Sequence, residues 1–308
     1  MSSGTRNRLL VLAAAVLFST GGAAIKATSL AGWQVASFRS GVAALAMTAL
    51  LPAARRGWNW RVIPVGATYA ATLVLFVLAN KLTTAANAIF LQATAPLYLL
   101  LLGPLLLREP VRRSELLFMS AVAIGLAAFF VGAEKAVVSA PDPLRGKVLA
   151  ALSGVAFAGT LAGLRWLGRG RTADNPAAAS VVAGNLTAFL VCLPMALPVT
   201  RAGTPDLLVI LYLGIFQIGL AYLCLTRAMR HVPALTTSLL LLAEPALNPV
   251  WAWLVQGERP GPWALAGGAV ILAATAANTW WQKSGDRLRV PQPPALACRR
   301  APHESNPR

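Results

Sequence analysis

The chain has 308 residues, 57% of them hydrophobic and 12% charged, with a mean hydropathy of +0.64. A soluble domain carries about 25% charged residues, so this composition excludes an ordinary water-soluble protein and makes the bilayer the solvent. The net charge of +17 sits in short breaks between apolar runs, not on a basic surface interleaved with aromatics. It reads as topology signals facing anionic lipid and argues against nucleic acid as a partner.

Residues 1–8 form a basic N-terminus, with Arg6 and Arg8 ahead of LLVLAAAVLF. That start has the layout of a signal peptide, but the repeat described below makes it a retained first helix. Ten apolar runs follow at 9–27, 34–52, 62–80, 84–107, 115–132, 147–164, 177–199, 207–226, 233–256 and 262–281. Each approaches the roughly 20 residues that cross a hydrocarbon core as a helix. The longest connection, 134–146, carries an APDP turn and reads as a joint between halves. Residues 283–308 contain PQPP and scattered Arg with no apolar period, which predicts a disordered basic tail. Cys192, Cys224 and Cys298 are odd in number, with the first two inside apolar runs, so they predict neither a disulfide framework nor a metal cluster. With the first residue in the cytoplasm, that side receives the majority of the 27 Lys and Arg. Both termini are therefore expected in the cytoplasm and the chain in the cytoplasmic (inner) membrane.

ATAPLYLLLLGPLLLRE, ending at Glu109, aligns with LAEPALNPVWAWLVQGE, ending at Glu258, so that Pro96 falls on Pro245. LFSTGGAAIK aligns with AFAGTLAGLR, placing Phe18 on Phe157 and Lys26 on Arg165. The two alignments imply five-helix repeats at 9–133 and 147–282. Five is odd, so the second repeat enters the membrane from the opposite side. The expected fold is an all-α integral membrane protein of ten transmembrane helices in two inverted repeats, an architecture of secondary transporters.

TTAANAIFLQATAPLYLLLLGPLLLREP and GLAYLCLTRAMRHVPALTTSLLLLAEPALNPVWAWLVQGERPGPW each run through a short turn, a small-residue helix with a central proline, and a loop ending in Glu. In this they resemble the EamA-type branch of the drug/metabolite transporter superfamily, over roughly residues 8 to 282. The resemblance implies ten helices, a central cavity between the halves, and export of amino acids, related metabolites or drugs. The first helix departs from the family pattern, with FSTGG in place of the common aromatic-Gly-Ser.

Glu244 is the carboxylate deepest in an apolar run. Ionised there it costs several kcal/mol, so it is expected to be protonated, paired or turned toward a wet cavity. Helical spacing puts Thr237, Leu241, Glu244, Asn248 and Trp251 on one stripe, the candidate cavity wall. The corresponding face of the fourth helix carries Ala88, Gln92, Ala95 and Leu99, which makes Gln92 a candidate from the other half. Asn87, Thr94 and Tyr98 share another face and serve either substrate binding or interhelical bonding. Pro96 and Pro245 remove backbone donors, lining a cavity, bending during a switch, or forming static kinks. Ser19, Thr20 and Lys26 lie on or beside one face of the first helix; Lys26 is expected to snorkel. Arg39, some way into the second helix, either snorkels or serves an outer gate or anionic group. Tyr69, Thr72, Phe76 and Asn80 form a stripe on the third helix, and Gln217 and Cys224 share a face of the eighth, with Tyr222 opposite. His231 reads as a loop residue without a metal partner.

The substrate-binding set is thus Ser19, Thr20, Asn87, Gln92, Tyr98, Gln217, Tyr222, Glu244, Asn248 and Trp251, and the coupling or gating set is Glu244, Arg39, Pro96 and Pro245. No phosphate loop, dinucleotide turn, paired His ligands or nucleophile elbow occurs in the sequence. No cofactor, metal or catalytic residue is expected, and the chain is not read as an enzyme. The expected function is export of amino acids or related small metabolites by alternating access, with proton coupling resting on Glu244 alone. A drug efflux carrier and a non-transporting scaffold subunit are the alternatives. The expected partners are a small molecule and lipid, with self-association as a homodimer left open.

Overall fold

The computed structural model describes residues 3–102, 113–131, 136–168, 176–200, 202–229, 232 and 240–287. They form helices α1 (Ser3–Ser19), α2 (Gly21–Ala27), α3 (Gly32–Leu50), α4 (Val62–Leu82), α5 (Ala85–Gln92), α6 (Ala95–Leu102) and α7 (Arg113–Val131). After a connection come α8 (Pro143–Gly168), α9 (Pro176–Ala196), α10 (Thr204–Leu211), a wider π-type segment (Tyr212–Leu220), α11 (Ala221–Met229), α12 (Ala243–Gln256) and α13 (Pro262–Arg287). Among the described residues there is no strand, only an isolated bridge between Val137 and Ala140. Thr5–Ala27, Val62–Leu82, Pro143–Leu164, Pro176–Ala196 and Thr204–Leu225 are long and apolar enough to cross a membrane, and Leu116–Val131 and Pro262–Asn278 are shorter apolar helices.

The side-chain distribution is inverted relative to a soluble protein. Leu45, Ile63, Ile124, Leu190 and Leu254 project outward, while Ser19, Arg39, Asn80, Asn185 and Asn248 are buried. In lipid the apolar exterior carries no cost, and association rests on close backbone approach and interhelical hydrogen bonds. Two such bonds run from the Gln92 amide to Ser153 Oγ at 2.7 Å and from that hydroxyl to the Thr72 carbonyl at 3.1 Å, joining α5, α8 and α4. The helices before and after the 136–142 connection interleave: α4 packs on α8 and α9, α3 on α9, α7 on α13, and α1 on α11 and α12.

Three of the predicted runs differ from continuous helices. The first breaks at Thr20, the fourth at Ala93 and Thr94, and the ninth has a turn at Leu242. Pro96 is therefore the second residue of α6 and Pro245 the third of α12, first-turn positions where the missing N–H has no intrahelical acceptor to lose. Neither proline lies mid-helix, as the sequence suggested. The predicted disordered tail also begins too early, because α13 continues through Arg287. The rest of that tail, Glu109, His231, Thr237 and Cys298 lie outside the described residues.

Candidate functional site

At Thr20 the hydrogen-bond ladder tightens, the Thr20 N–H donating to the Leu17 carbonyl at 3.3 Å while the Thr20 carbonyl accepts from the Ala24 N–H at 3.0 Å, and side chains from the later helices reach this turn. Thr20 Oγ1 bonds back to the Leu17 carbonyl at 2.7 Å and lies 2.8 Å from the Tyr212 hydroxyl. Ser19 Oγ donates to the Val16 carbonyl at 2.7 Å and accepts from Trp251 Nε1 at 2.9 Å. Gln217 donates to the Phe18 carbonyl at 3.4 Å, and its own carbonyl oxygen is buried with no partner. Asn248 is almost fully buried, with both amide atoms unpaired. Leaving such a group unsatisfied costs about 1–3 kcal/mol, a cost that a polar molecule in this position would remove.

The glycine pair after the break makes that approach geometrically possible. A Cβ at Gly22 would lie 2.7 Å from Asn248 Oδ1 and 3.0 Å from Ala85 Cβ, and one at Gly21 would lie 2.9 Å from Gln217 Nε2. An edge-on aromatic set flanks the cluster, with Tyr222 5.2 Å from Phe18 and 6.1 Å from Tyr69 between ring centroids. Glu244 is half-buried in the first turn of α12, within electrostatic reach of Tyr222. Ser19, Thr20, Gln217, Asn248 and Trp251 are thus brought together, with Tyr222 and Glu244 alongside.

The candidates of the fourth predicted run are placed differently. Asn87 is buried at the start of α5, where its amide nitrogen donates to Thr83 Oγ1 at 2.9 Å and its N–H to the capping Thr84 hydroxyl at 3.2 Å. Gln92 is engaged by Ser153. A Cβ added to Gly154 would lie 3.3 Å from the Tyr98 ring, which marks close packing there. Gln92→Ala is accordingly expected to lower thermal stability by about 1 kcal/mol while leaving substrate affinity within about twofold. Parallel unfolding and binding measurements check this, and an affinity loss without a stability loss would return Gln92 to the cavity wall. Arg39 is 1% exposed and donates to the Leu73 carbonyl at 3.2 Å. It ties α3 to α4 inside the bundle and does not snorkel.

Lys26 corrects the sequence reading more sharply. It forms a buried ion pair with Glu258, Nζ to Oε1 2.7 Å, and also donates to the Ser139 carbonyl. Gly257 adopts φ +68°, the left-handed conformation that ends α12 and turns Glu258 back toward the bundle. The second carboxylate oxygen accepts from the Ala85 N–H at 2.9 Å. Gln256 donates to the Ala23 carbonyl at 2.7 Å, and Asp206 accepts from the Ser29 N–H and hydroxyl, both at 2.7 Å. These contacts draw the early and late helices together at the Lys26 end of the bundle. The sequence reading missed Glu258 as more than a repeat marker, although its alignment with Glu109, opposite that of Lys26 with Arg165, was the available signal.

An apolar-surfaced bundle with broken helices around a polar, glycine-lined interior defines a multi-pass membrane protein. The profile of the EamA-like transporter family matches residues 7–131 and again 144–280. The chain belongs to that family. It is 32% identical over 84 residues to an uncharacterized transporter of Clostridium kluyveri (strain ATCC 8527), a match spanning 27% of each chain. The chain thus aligns with only about a quarter of that relative's length. A solved crystal structure shares the fold with a TM-score of 0.60 at 19% identity, covering 93% of this chain and 99% of the other.

Proposed function

We propose that the protein is a secondary carrier that exports amino acids or related small metabolites across the cytoplasmic membrane by alternating access. The moving units are two inverted five-helix repeats, 9–133 and 147–282, with both termini cytoplasmic. Three features support the repeat: the Pro96/Pro245 alignment, the family profile matching twice, and breaks at corresponding places before α6 and α12. The majority of Lys and Arg in the connections and tail on the first residue's side supports the orientation.

The observation that carries the reading is the unsatisfied amide of Asn248 at the Thr20 break, beside Gln217 and near Glu244. Discontinuous helices near the middle of a membrane present polar backbone and side-chain groups to a substrate without exposing them to lipid. Polar atoms hold the ligand's charged or hydrogen-bonding groups, and the Phe18, Tyr69 and Tyr222 rings face its apolar part. The cross-contacts at the Lys26 end form the closed outer side of this arrangement. Glu244, the carboxylate of the site, exchanges a proton as the cavity changes sides, which couples flux to the proton gradient.

Reconstituted protein provides the test. Wild-type vesicles are expected to show both amino-acid counterflow and flux driven by an imposed pH gradient. Glu244→Gln is expected to keep counterflow and lower pH-driven flux by about tenfold or more. Intact pH-driven flux in that variant would remove Glu244 from coupling, and movement of cationic dyes in place of amino acids would favour a drug carrier.

A further inference from the structure

At the Lys26 end, separate from the Thr20 cluster, lies an open cavity of about 680 Å3 lined by Lys26, Lys81, Asn80, Gln256 and the 137–139 turn. Its size is that of a small-molecule site. Its charged groups are not equivalent. The Lys26 ammonium is held by Glu258 and the Ser139 carbonyl. Lys81 donates to the Thr28 carbonyl at 2.8 Å and has no carboxylate partner among the described residues. An ammonium has three donors, so Lys81 retains capacity for an incoming anion. Asp206, which acts on Lys81 electrostatically, is already engaged by Ser29 and the Gly203 N–H.

The two amides in the cavity supply the opposite chemistry. Asn80 is fully buried and its nitrogen donates to the Phe76 carbonyl at 2.9 Å; the Gln256 nitrogen donates to the Ala23 carbonyl at 2.7 Å. A carbonyl can only accept, so these bonds fix which end of each amide is nitrogen. Asn80 Oδ1 and Gln256 Oε1 are consequently left as buried acceptors without donors. A free ammonium donor toward an anion and two orphan acceptors toward a cation, lining one cavity, describe the complement of a zwitterion.

We infer that this cavity is a second binding site, for the α-amino and α-carboxylate groups of an amino acid. Lys81 receives the carboxylate, and Asn80 Oδ1 and Gln256 Oε1 receive the ammonium. A simple acid would leave the acceptors unpaired and a simple amine would face Lys81, so both are discriminated against. The site rests on the carrier reading for its purpose, as the station a substrate occupies on the far side of the Lys26–Glu258 contact. Its existence is testable without flux.

The probes are L-leucine and L-phenylalanine, each compared with its N-acetyl derivative and its decarboxylated amine. Val138, fully exposed beside the cavity, becomes the reporter as Val138→Cys in a background with Cys192, Cys224 and Cys298 changed to alanine. Purified protein in lipid nanodiscs is titrated with each probe, reading equilibrium binding and protection from a membrane-impermeant maleimide. At least one amino acid is expected to bind and protect about tenfold better than both of its derivatives. Lys81→Gln is expected to erase the advantage over the amine, Lys81→Arg to keep it, and Gln256→Met to reduce the advantage over the N-acetyl form. Equal affinities, no protection by either amino acid, or unchanged selectivity in a folded Lys81→Gln variant overturns the site. Flux of these amino acids without protection leaves the carrier standing and removes this site. Lys81-dependent protection without flux does the reverse.

Discussion

Glu258→Ala is expected to lower stability by about 3–5 kcal/mol, the range for removing one partner of a buried ion pair. Lys26 and Glu258 side chains are 4% and 3% exposed, so the remaining ammonium has little water to replace the carboxylate. The same substitution removes the acceptor of the Ala85 N–H, a bond between two parts of the chain far apart in sequence. Lys26→Met together with Glu258→Met is expected to recover most of the loss, since an apolar pair carries no desolvation cost. Unfolding in mixed micelles, run as a double-mutant cycle, measures both. A single-mutant loss below about 1 kcal/mol would mean that the pair is hydrated and acts as a surface salt bridge.

Gly22→Leu is expected to lower transport by about tenfold or more in protein that still inserts. The added Cβ alone would fall 2.7 Å from Asn248 Oδ1 and 3.0 Å from Ala85 Cβ, distances at which α2 must move away from α5 and α12. Overpacking of this kind costs about 1–3 kcal/mol, which a bundle of this size absorbs without unfolding. The proposed substrate site is not expected to absorb it, because Asn248 would be displaced from the position that leaves its amide open. Gly22→Ala is expected to have a smaller effect and to be partly rescued, in packing and stability, by Asn248→Ala, which vacates the contact. Normal flux in a correctly inserted Gly22→Leu variant would show that the substrate path lies elsewhere.

The membrane class and helical fold were legible in the sequence because burial in lipid acts on whole runs of about 20 residues. Most predicted spans agree with the helices to within a few residues, as with 62–80 against Val62–Leu82 and 177–199 against Pro176–Ala196. The helix breaks were less legible. Pro96 and Pro245 signalled them but did not show that the proline begins a new helix, and the break at Thr20 has no proline at all. Stripe periodicity grouped Glu244, Asn248 and Trp251 as a candidate cavity wall, and all three lie on α12. It had no means of knowing that Gln92 finds Ser153 or that Asn87 finds Thr83, because which polar face meets which neighbour depends on helix rotation and packing.

By itself the sequence determined the solvent of this protein, its helical class and its family, properties set by composition, run length and local motif. Only the tertiary structure decided that Lys26 turns inward to Glu258 and not outward to the headgroups, and that Arg39 is sealed between helices. The physical reason is the same in both cases. A charge near the end of an apolar run can be satisfied either by reaching water or by finding buried partners, and the local sequence does not say which. The choice rests on groups more than two hundred residues away, in the case of Lys26, that no local pattern brings near.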